Sequence, residues 1–196
     1  MALPSLHVVI VSTRPGRIGP VIAQWIHGYV KQHGAFDPVL VDLASINLPL
    51  FNEPEHPTRR RYVHEHTKIW SKSVNAADAF VFVTPEYNYG PPPSLLNAFD
   101  YLYFEWNYKP AGFVSYGGVS AGMRGSARAA MTATTLKMML IPESVALPNV
   151  FAQIQEGAFK ANDLNNAGAS AMLNEMTKWE EALRDLRARH RATVLK

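Results

Sequence analysis

The sequence contains no cysteine among its 196 residues, which excludes disulfide bonds, thiol catalysis and cysteine-ligated metal sites together. It also has no apolar run that approaches the roughly 18 residues that a membrane-spanning helix needs. The N-terminus shows no basic segment leading into an apolar one, the mark of a secretory signal. These absences predict a cytoplasmic protein that does not interact with membranes.

Charge of either sign is sparse. Charged residues make up 18% of the chain and the formal net charge is +3, too little to predict nucleic-acid binding but suited to a phosphorylated, anionic ligand. The run at 59–61 is all arginine and predicts the solvated start of a helix. A second basic cluster, predicted to form an exposed and self-neutralising helix face, comprises Arg184, Arg187, Arg189 and Arg191. Histidine and carboxylate residues show no metal-site spacing, so no metal is expected.

Short apolar runs alternate with helix-length segments along the whole chain. The runs predict five strands, at 6–11, 38–43, 79–84, 112–116 and 144–147. Apolar residues at helical spacing predict helices at 18–32, about 58–75, 94–104, 120–140 and about 163–191. Such alternation predicts an α/β fold in which a parallel sheet carries helices on both faces. We therefore expect one flavodoxin-like, doubly wound domain over residues 1–196, with a five-stranded sheet in the order 2-1-3-4-5.

In such a sheet the ligand binds beyond the carboxyl ends of the strands, where the strand order reverses. The first loop at this edge, residues 12–19, matches neither a dinucleotide-binding nor a nucleoside-triphosphate motif. It offers hydroxyls, arginines and a helix N-terminus, a combination that suits a phosphate monoester. The predicted ligands here are Ser12, Thr13, Arg14, Arg17 and Ile18. The alternative is an ordinary polar loop capped by Ser12 or Thr13.

The second loop, residues 84–93, contains two tyrosines, an asparagine and four prolines. Its aromatic and amide side chains can line a flat heteroaromatic ring, and its prolines limit the conformations lost on binding. The predicted ring-binding residues are Pro85, Glu86, Tyr87, Asn88 and Tyr89, with Glu86 expected to orient the loop. The alternative is a rigid loop whose tyrosines pack for stability.

The third loop, residues 115–122, is rich in glycine. Backbone N–H groups of Gly117 and Gly118 can approach a ligand closely and favour negative charge on a ring oxygen, and Ser115 stands beside them. The alternative is a turn before a helix capped by Ser120. Taken together, the three loops predict a site for FMN.

Five aromatic residues follow the second loop within a short stretch: Tyr101, Tyr103, Phe104, Trp106 and Tyr108. Tyrosine and tryptophan are enriched in interface cores. We expect this stripe to form a subunit interface that completes the flavin pocket, or else to belong to the core.

Four motifs of this chain together resemble the NADPH-dependent FMN reductase family, which includes chromate-, quinone- and azo-reducing flavoproteins. They are Ser12-x-Arg14, Pro85-Glu86-Tyr87-Asn88-Tyr89, Lys109-Pro110 and Ser115-x-Gly117-Gly118. The resemblance covers about residues 6–150, and it implies bound FMN and a homodimer or homotetramer with the flavin near a subunit interface. Two departures bear on the substrate pocket: Val11-Ser12 replaces the family's Gly-Ser, and Pro91-Pro92-Pro93 follows Gly90.

The expected activity is hydride transfer from NADPH or NADH to FMN, and then to a small-molecule acceptor that takes the place of the nicotinamide. Quinones, azo compounds, metal oxyanions and free flavin are the expected acceptors, and we expect no catalytic side chain because the flavin carries the chemistry. One alternative is a flavodoxin-type electron carrier, which Arg14, Arg17 and a pI near 9.2 disfavour. The other is a scaffold of the same fold without flavin.

Overall fold

A computed structural model describes residues 2–194. Its main sheet has six strands, all in parallel pairs, in the order β2-β1-β3-β4-β5, with β6 also paired to β4. The strands are β1 (Ser5–Ile10), β2 (Asp37–Asp42), β3 (Ala79–Pro85), β4 (Pro110–Tyr116), β5 (Met139–Leu140) and β6 (Val145–Leu147). The predicted order is confirmed, and the reversal lies between β1 and β3.

The fifth position of the sheet is filled by two short strands instead of the single one predicted. β5 pairs with the first residues of β4, and β6 pairs with its last three. The segment between them contains Pro142, which has no N–H to donate to a strand ladder. The edge of the sheet is therefore interrupted, although its position in the order is the expected one.

Helices cover both faces of the sheet. They are α1 (Gly19–His33), α2 (Leu43–Ile46), α3 (Glu65–Ala76), α4 (Pro93–Asp100), α5 (Met123–Thr135) and α6 (Asp163–Val194). Short 3-10 turns lie at Pro57–Arg59, Phe104–Trp106 and Val150–Gln153, and a small hairpin is formed by β7 (Ile154–Gln155) and β8 (Ala158–Phe159). Among residues 2–194, no helix combines the length and the apolar character that a membrane span requires.

Three predicted helices were too long, and the one expected over 94–104 ends as α4 at Asp100. The one expected from about residue 58 begins as α3 at Glu65, because the Glu53 carboxylate holds the N–H groups of Val63 and His64 just before it. The one expected over 120–140 ends at Thr135, because Lys137 adopts a left-handed backbone with φ of 57° and the chain then enters β5. The start of α3 is therefore set by the Glu53 side chain, and the end of α5 by the backbone reversal at Lys137.

The central strands are apolar on both sides because each side faces a helical layer. Leu6, Val8 and Ile10 of β1 pack in the core shared with α1 and α6. Val9 and Val11 pack on the opposite side, with residues of α3, α4 and α5. This double burial explains the continuous apolar runs in the sequence.

Two residues of the aromatic stripe, Tyr101 and Trp106, lie in the core of the domain. Trp106 is fully buried and packs against Trp70, Phe80 and Phe99 with ring-centroid distances of 5.7, 5.1 and 5.3 Å. Tyr101 is fully buried as well. The chain turns here from α4 towards β4, which places these rings beneath the sheet. The expectation that Trp106 forms a subunit interface was wrong.

The C-terminal arginine cluster is only partly exposed, contrary to prediction. Arg187 is buried and its guanidinium binds the carboxylates of Asp78 and Glu180 at 3.0 and 2.9 Å. Arg191 donates to the carbonyl of Asn75 at 2.8 Å. These arginines fasten α6 beneath the amino ends of the strands, since α6 is long enough to reach that edge.

Candidate functional site

A cleft of about 210 Å³ opens at the carboxyl edge of the sheet, and all three predicted loops contribute to its lining. From the predicted residues, the first loop supplies Ser12, Arg14, Arg17 and Ile18. The second loop supplies Pro85, Glu86 and Tyr87, and the third supplies Gly117 and Gly118. The structure therefore brings nine of the thirteen predicted site residues to one place. Thr13, Asn88, Tyr89 and Ser115 do not line it.

The N-terminus of α1 adjoins this cleft, which its N-cap residue lines, but Pro20 has no N–H and the Val21 N–H already donates to the Ile18 carbonyl at 3.2 Å. Its N-cap residue, Ile18, makes no side-chain cap, and the first turn contains no acidic residue. The Gly19 N–H has no backbone acceptor among the described residues, and an uncapped helix start carries a positive partial charge. A glycine is required next to it, because a Cβ on Gly19 would lie 2.4 Å from the Ser12 Oγ and 2.8 Å from the Tyr116 hydroxyl.

Two neighbouring hydroxyls beside this helix start have no hydrogen-bond partner other than each other among the described residues. Ser12 Oγ and the Tyr116 hydroxyl are both buried. Burial raises the pKa of Tyr116 to about 12, so this hydroxyl is protonated at neutral pH. Leaving a buried polar group unpaired costs about 1–3 kcal/mol, so such groups are uncommon without a reason. An acceptor at the helix start would give these hydroxyls a further partner.

The two arginines of the first loop have different surroundings. The Arg17 guanidinium makes a two-pronged ion pair with the Asp42 carboxylate, both N–O distances being 2.6 Å, and also donates to the Ser12 carbonyl. The hydrogen bond to Asp42 raises the pKa of Arg17. Arg14 is exposed, and its one hydrogen bond among the described residues is to the neighbouring Pro15 carbonyl. Arg14 can reach an incoming anion, whereas Arg17 braces the loop.

The second loop folds into a tight reversal. Tyr87 and Gly90 exchange backbone hydrogen bonds of 2.8 and 2.9 Å, and Asn88 and Tyr89 between them both have positive φ. Two such residues match a type I′ hairpin turn. Asn88 and Tyr89 consequently form an exposed tip, while Pro85 and Tyr87 line the cleft. Of the five residues expected to bind the ring, only Pro85, Glu86 and Tyr87 line the cleft.

The third loop presents one backbone donor rather than the expected pair. The Gly117 N–H donates to the Leu147 carbonyl at 3.3 Å, whereas the Gly118 N–H has no backbone acceptor among the described residues. Ser115 lies buried inside β4 opposite Thr84. Because β6 pairs with the end of β4, the Leu147 carbonyl of β6 accepts the Gly117 N–H, which is then not available to a ligand.

Three residues that line the cleft are not among those predicted from the loops after the first, third and fourth strands: Tyr116, Val150 and Phe151. Val150 and Phe151 follow the fifth strand position, so the rule that all carboxyl ends share one edge could have identified them. Tyr116 ends β4, and strand alternation puts it on the side of Val114, which faces α1.

Comparisons with known proteins agree on one family. The model of the NADPH-dependent FMN reductase family matches residues 4–152. An NAD(P)H-dependent FMN reductase of Schizosaccharomyces pombe is 42% identical over 146 residues, which cover 74% of this chain and 72% of that protein. One of a Nectria species is 32% identical over 167 residues, covering 79% of this chain and 83% of that protein.

The fold is similar to that of a solved flavoenzyme, the NAD(P)H:(acceptor) oxidoreductase of Paracoccus denitrificans. The TM-score is 0.73 at 18% identity, with 92% of this chain and 99% of that chain covered. At this identity the likeness demonstrates a shared fold and nothing more specific.

Proposed function

The chain belongs to the NADPH-dependent FMN reductase family, whose members are oxidoreductases that use FMN and NAD(P)H, and from this premise we propose that its FMN binds in the cleft described above. The phosphate would lie at the N-terminus of α1. The ring would lie between the second and third loops, which line the same cleft.

The observation that carries this proposal is the set of donors at the start of α1. The Gly19 N–H at the uncapped helix start, the exposed Arg14 and the neighbouring buried hydroxyls of Ser12 and Tyr116 lie in or beside the cleft. A phosphate monoester carries close to two negative charges and several acceptor oxygens, so it suits this donor set. A second phosphate would find no further donor loop of the dinucleotide-binding type in this sequence. The residues present therefore fit FMN better than FAD.

When bound, FMN supplies the redox chemistry, accepting hydride from the nicotinamide and transferring it to an acceptor. The residues of the protein would hold the FMN and orient its ring. Arg14 would bind the phosphate, and the Gly118 N–H would stabilise negative charge at the edge of the ring. Tyr87, Val150 and Phe151 would contribute an apolar lining that keeps water from the ring. No side chain needs to act as acid or base.

The cleft is open to solvent, and this favours a ping-pong order in which nicotinamide and acceptor use the same open side in turn. Quinones, azo compounds, metal oxyanions and free flavin are the acceptors that we propose. We further propose a homodimer or homotetramer in the cytoplasm. Closed ligand pockets usually measure about 300–1,000 Å³. The cleft of one subunit, about 210 Å³, is smaller, which supports completion by a second subunit.

The test starts with the colour of the purified protein. We expect a yellow protein that releases FMN on denaturation, identified by chromatography against FMN, FAD and riboflavin standards. Steady-state kinetics with NADPH and a quinone should then give parallel double-reciprocal lines. Recovery of FAD would overturn the phosphate assignment, and intersecting lines would overturn the shared site.

A further inference from the structure

Glu86 was expected among the ligands of the flavin, yet its carboxylate is engaged with α5. It accepts a hydrogen bond from Arg124 Nε at 2.8 Å and forms an ion pair with Arg124 Nη2 at 2.6 Å. It also accepts one from the Arg124 backbone N–H at 3.1 Å. The Glu86 side chain is only 7% exposed. Burial alone would raise the pKa of Glu86, but hydrogen bonds from Arg124 and Ser120 bring it below its usual value, so the carboxylate is ionised at neutral pH.

The contact with Glu86 supplies a cap that α5 lacks in its own sequence. The N-cap residue of α5 is Gly122, in the left-handed region with φ of 78°, and it has no side chain to cap the helix. A carboxylate at a helix N-terminus pairs with an orphan N–H and with the positive end of the helix dipole. Here that carboxylate comes from the second loop, 38 residues earlier in the chain.

Two further contacts join the second loop to the start of α5. A Cβ on Gly125 would lie 3.0 Å from the Gly90 carbonyl oxygen, so the backbones approach closely. The Arg124 guanidinium stacks on the Tyr89 ring at 3.8 Å from its centroid. Because the third loop leads directly into α5, these contacts hold the second and third loops in one relative position. These two loops follow the carboxyl ends of the neighbouring parallel strands β3 and β4, and both line the cleft.

We propose that Glu86 is a positioning residue, which sets the affinity for the flavin ring by locking the second and third loops together through Arg124 and the start of α5. The inference rests on the proposed function, since it assumes that the ring lies between these loops. It assigns Glu86 no contact with the flavin. Loss of the lock affects ring binding and leaves phosphate binding by the first loop intact.

The experiment compares FMN with riboflavin, which has the same ring without the phosphate. Glu86→Gln keeps the shape of the side chain and removes its charge. We expect it to raise the Kd of the apoprotein for FMN and for riboflavin by a similar factor, about tenfold, the scale of one charge-assisted hydrogen bond. At saturating FMN, the visible circular dichroism band of the bound flavin should also change, because the ring is held differently. Arg124→Ala should raise both Kd values as well, and Arg124→Lys, which keeps the positive charge, should raise them less.

The matched control is Glu175→Gln, which removes the same charge from an exposed ion pair with Lys178 on α6, away from the cleft. It should leave both Kd values and the flavin spectrum unchanged. Far-ultraviolet circular dichroism checks that each variant is folded. A folded Glu86→Gln protein with wild-type Kd values and an unaltered flavin spectrum would overturn the inference alone. A wild-type protein that binds neither flavin would overturn the proposed function, and the inference with it.

Discussion

Arg14 and Arg17 stand three positions apart in one loop, yet their side chains have different tasks. Arg17 is held between the Asp42 carboxylate and the Ser12 carbonyl, whereas Arg14 extends into solvent at the mouth of the cleft. A carboxylate bound to a guanidinium neutralises its charge and occupies its N–H donors, so such an arginine attracts a phosphate only weakly. At the scale of single residues, binding and support are therefore separable by mutation.

Arg14→Ala should weaken FMN binding by about 1.5–3 kcal/mol, the scale of a charge-assisted hydrogen bond. Riboflavin binding should change little, because riboflavin has no phosphate. Titration of the apoprotein with each flavin, followed by fluorescence, measures both. Arg59→Ala, which removes an exposed arginine of the run at 59–61, serves as the control. Equal losses for FMN and riboflavin would place Arg14 elsewhere than at the phosphate.

Arg17→Ala should instead lower the stability of the flavin-free protein. It removes a two-pronged, mostly buried ion pair and leaves the Asp42 carboxylate without its partner. We expect a loss of about 1–2 kcal/mol in the free energy of unfolding. Urea denaturation of the apoprotein checks this, with Arg14→Ala as the matched variant of the same loop. If Arg14→Ala destabilised the apoprotein as much as Arg17→Ala, the division of tasks would be wrong.

At the scale of elements, β1 carries a buried histidine that makes the sheet sensitive to acid. Burial, reinforced by the charge of Lys109 and opposed by Asp78, lowers the pKa of His7 to about 4. An unfolded histidine titrates near 6.5. Between these values the unfolded chain binds a proton that the folded chain does not, so stability falls as the pH drops.

The His7 contribution should therefore be absent above about pH 6.5 and should destabilise the fold by up to about 3 kcal/mol near pH 4. Urea denaturation at several pH values gives the slope. His7→Leu removes the titrating group, and the difference in slope between the two proteins isolates its effect from that of the carboxylates. Identical slopes would show that His7 has the same pKa in the folded and unfolded states.

The 3-10 turn at Phe104–Trp106 places Trp106 between α3, α4 and the sheet, where the ring is fully buried. Replacing it by alanine should cost about 3–5 kcal/mol, the usual range for a buried aromatic residue. Thermal and urea unfolding measure the loss, with Tyr103→Ala, at a half-buried neighbour, as the milder control. A small loss for Trp106→Ala would restore the interface role that the sequence suggested.

At the scale of the whole molecule, the surface beside the cleft is unusually apolar. Met123 and Met131 of α5 are 59% and 73% exposed, Val119 of the third loop is 91% exposed, and Phe151, which lines the cleft, is 68% exposed. Exposed apolar patches commonly mark association surfaces. With Trp106 in the core, this surface is the better candidate for the predicted contact between subunits.

Met131→Glu should then disrupt the assembly without touching the cleft, since Met131 does not line it. We expect smaller particles by light scattering and weaker retention of FMN, because the second subunit would no longer complete the pocket. Lys178→Glu on α6 is a control for the added charge. A Met131→Glu protein with unchanged particle mass would exclude this face of α5 as the interface.

Family membership, the flavodoxin-like fold, the strand order and the edge that holds the cleft were all correctly predicted from sequence. The fold, the strand order and the edge depend on local information, namely apolar periodicity within each element, short connections and the fixed hand of the crossovers, whereas the family was predicted from the resemblance of motifs. The phosphate-binding character of the first loop belongs here as well, although its role stays a prediction. A loop and the helix start that follows it are neighbours in the chain, so their chemistry can be interpreted together.

Only the tertiary structure decided which side chains of the three loops face the cleft. Arg17 pairs with Asp42, 25 residues away, and Glu86 pairs with Arg124, 38 residues away. Trp106 likewise enters the core because distant aromatic rings surround it. Residue spacing encodes contacts within one helix or strand, but which charged groups meet across elements depends on how those elements pack. For that reason the sequence determined at which edge of the sheet the cleft lies, and the fold determined which residues line it and which are held by partners from other elements.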